Sequence, residues 1–194
     1  SGDWSSDVCS SDLDPLHLLD CSPISDGAAA CLLSTKHTSS LRLAASQMCN
    51  ESLSLSRRPS LTSFASTRRA TESALDEASL SREEIAALEI HDCFSIAALI
   101  ALEDMGFSEP GEGIEWYERA SSSASSHESL PCINPSGGLK ACGHPVGATG
   151  VKQIIDMGKY LQHHQKQWGM THNIGGIGAT AAVHVLEHTP ATVS

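Results

Sequence analysis

The chain has 194 residues, 40% of them hydrophobic and 18% charged, with a formal net charge of -11. That is enough apolar material for one packed core. An acidic chain whose only basic pairs are Arg57-Arg58 and Arg68-Arg69 repels phosphate backbones, so no nucleic-acid role is expected. No apolar run reaches the ~18 residues needed to span a bilayer, and no basic stretch before an apolar run marks a secretory signal.

Residues 1–15 look foreign to the rest. Trp4 to Asp12 repeats Ser-Ser-Asp without a periodic apolar face. This stretch reads as a sequence artefact or as a disordered terminus. Residues 16–34 predict a strand, a turn at Ser25-Asp26-Gly27, and a second strand or short helix over Ala28 to Leu33. Leu41 to Ser46 predicts a strand, and the Ser- and Arg-rich stretch from Asn50 to Ser63 a loop. Ala70, Ala74, Leu75 and Ala78 share one face of a helix over Thr67 to Ala78. Ser81 and Glu84 form a capping box that opens a short helical turn.

Ile85 to Ile90 leads into a strand ending at His91. Cys93 to Met105 then predicts a helix that is apolar nearly all round and stops at Gly106. Residues 108–130 are polar and predict a surface excursion. The Gly-rich loop Asn134 to Gly150 feeds a helix whose face carries Val151, Ile154, Ile155 and Leu161. Strands at Gly169 to Ile174 and Ala179 to Leu186 close the chain. Helices alternating with strands predict an α/β layered domain, and the two consecutive final strands predict a mixed sheet.

The 7 cysteines are scattered, with no C-x-x-C pair. A zinc site or disulfide framework is therefore not expected, and a reducing cytoplasm is the better setting. Three clusters carry candidate chemistry. His91-Asp92-Cys93-Phe94 sits where a strand meets a helix, where the helix dipole favours a thiolate at Cys93. The plain alternative is a helix-capping Asp followed by a buried Cys. Asn134 to Gly150 holds His144 rigidly before Pro145 on a glycine-rich loop that lets a ligand approach the backbone. A phosphate cradle or a tight turn with an incidental His are its alternatives. His172 to Ala179 exposes backbone N–H groups that can stabilise an oxyanion, or it is a simple hairpin turn.

Taken together, the string from Gly143-His144-Pro145 to Gly150, the His91-Asp92-Cys93-Phe94 motif and Cys21-Ser22-Pro23-Ile24-Ser25-Asp26-Gly27 resemble the thiolase family. The resemblance covers Leu19 to His188. The second motif points to its sterol-carrier-protein-type thiolases and the similar bacterial and archaeal acetyl-CoA acetyltransferases. The resemblance implies the C-terminal half of the thiolase α/β/α/β/α sandwich, a five-stranded-type mixed sheet with helices on its faces. Residues 16–40 would be a remnant of the N-terminal domain, residues 41–189 the C-terminal domain, and 190–194 a tail.

By the same resemblance the chain is part of an acyl-CoA acyltransferase that cleaves or condenses acyl-CoA thioesters. His144 would activate the nucleophile, Cys93 would move the α-proton, and His91 would stand near the enolate oxygen. The Gly175 N–H would face the acyl-enzyme oxygen, and Ser22 would contact the pantetheine arm. Asn173 stands where many thiolases carry the acid/base Cys. The nucleophilic Cys of the family lies in its N-terminal domain, and Cys21, Cys31 and Cys49 lack its surroundings. The chain alone is therefore expected to be inactive. No metal and no cofactor beyond coenzyme A thioesters is implied. The implied partners are a second copy of the complete protein and a small zinc-ribbon/OB-fold protein. The family admits a peroxisomal setting, but the last residues form no peroxisomal tripeptide. The alternatives are a non-catalytic thiolase-like interaction subunit and a ketoacyl-synthase-type condensing enzyme.

Overall fold

The computed structural model describes residues 17–121 and 130–189. The foreign-looking start, residues 122–129 of the polar excursion and the 190–194 tail lie outside them. Five strands form one sheet in the order β1-β5-β4-β2-β3. They are β1 (Leu41–Asn50), β2 (Ala87–Glu89), β3 (Cys132–Ile133), β4 (Trp168–Gly175) and β5 (Thr180–His188). The antiparallel pairs are β1 with β5 and β5 with β4, whereas β2 runs parallel to both β3 and β4. The sheet is mixed, as the two consecutive final strands predicted.

Alternation along the strands sends side chains to two helical layers. Leu88, Met170, Val183 and Val185 join the cluster packed by α1 (Ala65–Ala78) and α2 (Ser95–Asp104). Their neighbours Ala87 and Leu186 join Met157 and Leu161 of α5 (Thr149–His164) in the cluster on the other face. Gly169 lies under α5 because a Cβ there would meet Met157 Sδ at 2.3 Å. Among the described residues no helix is long and apolar enough to cross a membrane.

Four sequence expectations need correction. No strand or helix forms over residues 21–34. The segment makes one 3-10 turn, Leu18–Asp20, and then runs irregularly, with Ile24 and Leu32 exposed. Its backbone pairs with loops instead: Ser22 N–H donates to Cys93 O (2.8 Å) and His144 N–H to Pro23 O (3.3 Å). The same pairing delays α2, because Phe94 bridges Cys21 in extended form and the helix starts only at Ser95.

The polar excursion contains α3 (Gly113–Ser121), whose Trp116 packs on Phe107 with ring centroids 6.1 Å apart. Ile114, Tyr117 and Ala120 recur at helical spacing, but the polar residues around them masked the period. On α5, the fully buried stripe is Thr149, Gln153, Met157 and Leu161, whereas Val151, Ile154 and Ile155 are half-buried. Two polar residues stand in that stripe, so hydropathy alone pointed to the neighbouring face.

Candidate active site

Because β2, β3 and β4 are parallel, their carboxyl ends face the same way. The three chemistry-bearing loops leave from those three ends, the usual place for ligands in such sheets. His91 to Phe94 follows β2, the Asn134 loop follows β3, and the Gly175 to Gly178 turn follows β4.

Side chains from both segments tie the end of β2 to the loop after β3. Asn134 Oδ1 accepts from Ile90 N–H at 2.6 Å, and Asp92 Oδ1 accepts from Leu139 N–H at 2.7 Å. The Glu89 carboxylate accepts from both Ser136 N–H and Ser136 Oγ–H, each at 2.9 Å. The short helix α4 (Gly138–Cys142) thus hangs from β2, and His144 follows it directly. His144 comes to rest edge-on against His91, with ring centroids 4.8 Å apart and planes at 85°.

The protonation of His144 follows from its neighbours. Thr149 Oγ1 lies 2.8 Å from His144 Nδ1 and donates its own hydrogen to Pro145 O at 3.2 Å. The Thr149 oxygen must therefore accept from Nδ1–H, which leaves Nε2 as a free lone pair. Burial lowers the His144 pKa below the usual imidazole value, against the opposing pull of Asp92. His91 is 3% exposed. Burial, and then the neighbouring His144, push it down to about 4. Near pH 7 it is a neutral hydrogen-bond donor rather than a cation.

Cys93 departs from the thiolate expectation. Its thiol is pushed above the ordinary value, first by burial and further by Asp92, although a hydrogen bond from the Phe94 backbone opposes this. The helix begins beyond Cys93, so the dipole acts less directly than a Cys at the first helical turn would feel.

A cavity of about 1010 Å³ collects His91, Cys93, His144 and Gly175, with Phe94, Ile96, Ile100 and Ile114 in its apolar wall. Nothing lies within 4 Å of where a Cβ on Gly175 would sit. A second cavity of about 590 Å³ opens between Ile24 to Ala29 and His144 to Ala148. Ser22 lines neither, and its placement is fixed by its backbone bond to Cys93. Asn173 Nδ2 donates to Gln153 Oε1 at 2.9 Å. Cys142 is exposed, with Sγ turned to Ser136 O at 3.2 Å. Among the described residues no cluster of His, Cys, Asp and Glu converges to hold a metal ion.

The sequence reading gave no role to Glu89, Asn134, Gln153 or Thr149, and treated Asp92 only as a helix cap. An acid inside the apolar strand β2 and a glutamine on the inner face of α5 were the available signal.

Burial raises the Glu89 pKa to about 7, despite the two Ser136 bonds that lower it. Between pH 4.5 and 7 the folded chain holds a proton that the unfolded chain has released. This contribution is therefore full below 4.5 and is lost as pH rises through 7. Glu89→Gln should remove the dependence. Its stability relative to the parent should grow by about 2–3 kcal/mol between pH 4.5 and pH 8. Urea midpoints at the two pH values measure this, and an unchanged gap would refute it. His91 and His172 act with the opposite sign below 6.5, but they are common to both proteins and cancel.

Comparison with known proteins agrees with the mixed sheet and its helices. The family described as Thiolase C-terminal domain-like matches residues 47–188. The chain belongs to the thiolase family. An acetyl-CoA acetyltransferase of Methanothermobacter thermautotrophicus is 43% identical over 89% of this chain and 48% of its own length. One of the same description from Methanocaldococcus jannaschii is 35% identical over the same shares. Sterol carrier protein 2 of Bos taurus is 29% identical over 93% of this chain and 38% of its own length. The chain thus spans about half the length of the archaeal thiolase relatives it matches. The sheet described above, with helices on both faces, is the C-terminal domain of this family.

Proposed function

We propose that the chain supplies the acid/base half of an acyl-CoA acyltransferase that performs thiolytic cleavage or Claisen condensation of acyl-CoA thioesters. The carrying observation is the edge-on His91–His144 pair at 4.8 Å in a cavity that Cys93 also lines. His144, with Nε2 bare, takes the proton of a nucleophilic thiol. That thiol comes from outside this chain, which on its own does not turn over. The acyl group passes to that sulfur as the CoA thiolate leaves.

In the condensing direction Cys93 removes the α-proton of the second acyl-CoA. The His91 N–H and the Gly175 backbone N–H offer hydrogen bonds to the oxygens that gain negative charge. Ser22 is assigned to the pantetheine arm and the smaller cavity to the approach of coenzyme A, on the strength of its position beside His144. The complete protein pairs with a second copy of itself and can take a small zinc-ribbon/OB-fold partner. The described cysteines are all free, which suits a reducing cytoplasm.

Joining the chain, from residue 16, to the N-terminal half of the Methanothermobacter relative tests this reading. The chimera should cleave acetoacetyl-CoA in the presence of coenzyme A. A folded chimera without turnover would remove the support for the acyltransferase reading.

A further inference from the structure

The turn between β4 and β5 is built against the preference of one of its residues. Ala179 N–H donates to Gly176 O at 3.0 Å, and both residues between them have positive φ, +56 at Ile177 and +76 at Gly178. That is a type I′ turn, whose central positions favour Asn-Gly. A β-branched residue with positive φ is strained. Side chains from the preceding loop and from α1 hold the turn in this form. Arg58 Nη1 donates to Ile177 O at 2.6 Å and Nη2 to Gly176 O at 3.4 Å, and Ser66 Oγ–H donates to Gly178 O at 2.6 Å. Gly178 rests on Phe64, where a Cβ would meet the ring at 2.4 Å. Core packing does not account for the isoleucine, because Ile177 is 68% exposed and belongs to neither buried cluster.

We infer that Ile177 is a specificity-determining residue whose exposed side chain contacts the acyl chain of an acyl-CoA longer than acetyl. Ile177 lines the same cavity as His91, Cys93 and His144. Leu61, Phe94, Ile96, Ile114 and Val146 line it too, and every one of them is exposed. This apolar wall thus shares a cavity with the groups assigned above to the thioester, and the inference rests on that assignment. An acetyl group ends one carbon beyond its carbonyl and leaves such a wall in water. A longer chain that starts from the same carbonyl covers it, and the apolar surface removed from water favours binding. Backbone strain persists where the surroundings enforce it, and it gathers at ligand clamps. Arg58 and Ser66 enforce it here, and the residue they present to the cavity is apolar.

Methyl spectra of the full 194-residue chain, labelled at isoleucine, read the contact directly, with Ile177→Asn and Ile114→Val serving for assignment. S-octyl coenzyme A, a thioether that cannot react, should shift the methyl signals of Ile96, Ile114 and Ile177. S-ethyl coenzyme A should shift them far less. In the chimera, the ratio of kcat/KM for 3-oxooctanoyl-CoA to that for acetoacetyl-CoA should fall about tenfold in Ile177→Asn and Ile177→Gly, the worth of a methylene or two in an apolar pocket. The fall should be smaller in Ile177→Val. Relief of the strained φ should meanwhile raise the melting temperature of Ile177→Asn by about 2–4 °C, so that lost selectivity is not lost folding. Equal shifts with both thioethers, or none with the octyl compound, would overturn the inference. So would a ratio unchanged in both variants, the result expected if the added half covers this wall, or a lower melting temperature in Ile177→Asn. A folded chimera without turnover, beside octyl-selective shifts in the chain, would sink the acyltransferase reading and keep the wall as an acyl-chain site.

Discussion

Replacing Cys93 by alanine in the chimera should slow exchange of the acetyl-CoA α-proton by about 10²–10⁴-fold, the usual worth of a positioned acid/base. The acyl-enzyme should still form, because the proposed mechanism assigns that step to His144. The two other candidates for the base are poorly placed. Asn173 is an amide without a titratable proton near neutrality, and its Nδ2 already donates to Gln153. Cys142 lies outside the cavity lining and points at Ser136 O. Because burial raises the Cys93 pKa, exchange should climb with pH well past neutrality as the thiolate fraction grows. His144→Ala should impair acylation and exchange together. Deuterium wash-out from acetyl-CoA, read beside mass-spectrometric trapping of the acyl-enzyme, separates the steps. Normal exchange in Cys93→Ala would show that another group is the base.

The second large effect is structural. Gly138 has φ +64, a conformation that costs an L-residue energy. A Cβ there would also stand 2.4 Å from Asp92 Oδ2 and 2.7 Å from Asn134 Nδ2. Both side chains belong to the grip that holds the His144 loop, so neither moves without losing a buried hydrogen bond. Gly138→Ala should therefore destabilise the chain by about 4 kcal/mol, combining backbone strain with a charged hydrogen bond lost. That corresponds to a melting temperature roughly 10 °C lower. Calorimetry on the purified variant checks this. A melting temperature within two or three degrees of the parent, on the order of experimental scatter for such a domain, would mean the loop yields cheaply.

Much of the sheet could be read from periodicity. β4 and β5 are apolar runs split by glycines, and α1 repeats its small residues at helical spacing. What the sequence concealed is where one segment borrows structure from another. Cys93 and Phe94 carry a helix-compatible pattern, yet Cys21 and Ser22 hold them extended. No local rule reveals a pairing across some seventy residues, an order-of-magnitude loop whose closure only tertiary packing can reward. The expected Cys93 thiolate fails chiefly because the thiol is buried, and the late start of α2 adds to it.

Individual motifs singled out His91, Cys93, His144 and Gly175. That they share one cavity follows from three parallel strands ending on one side, which is a property of topology. The supporting groups were the least legible. Glu89 and His172 look like polar interruptions of strands, and Asp92 like a helix cap, until their buried partners are seen.

The central claim is that this chain brings the acid/base groups of a thiolase-type site and that the acyl-carrying sulfur comes from elsewhere. Incubating the chimera with isotopically labelled acetyl-CoA, then quenching, digesting and locating the acetyl group by mass spectrometry, tests it most directly. The account predicts the label on a cysteine of the added N-terminal half, with none on Cys21, Cys31, Cys49 or Cys93, and no labelled species from the 194-residue chain alone. Acetyl found on one of those four cysteines, with turnover lost when that cysteine is replaced, would contradict it.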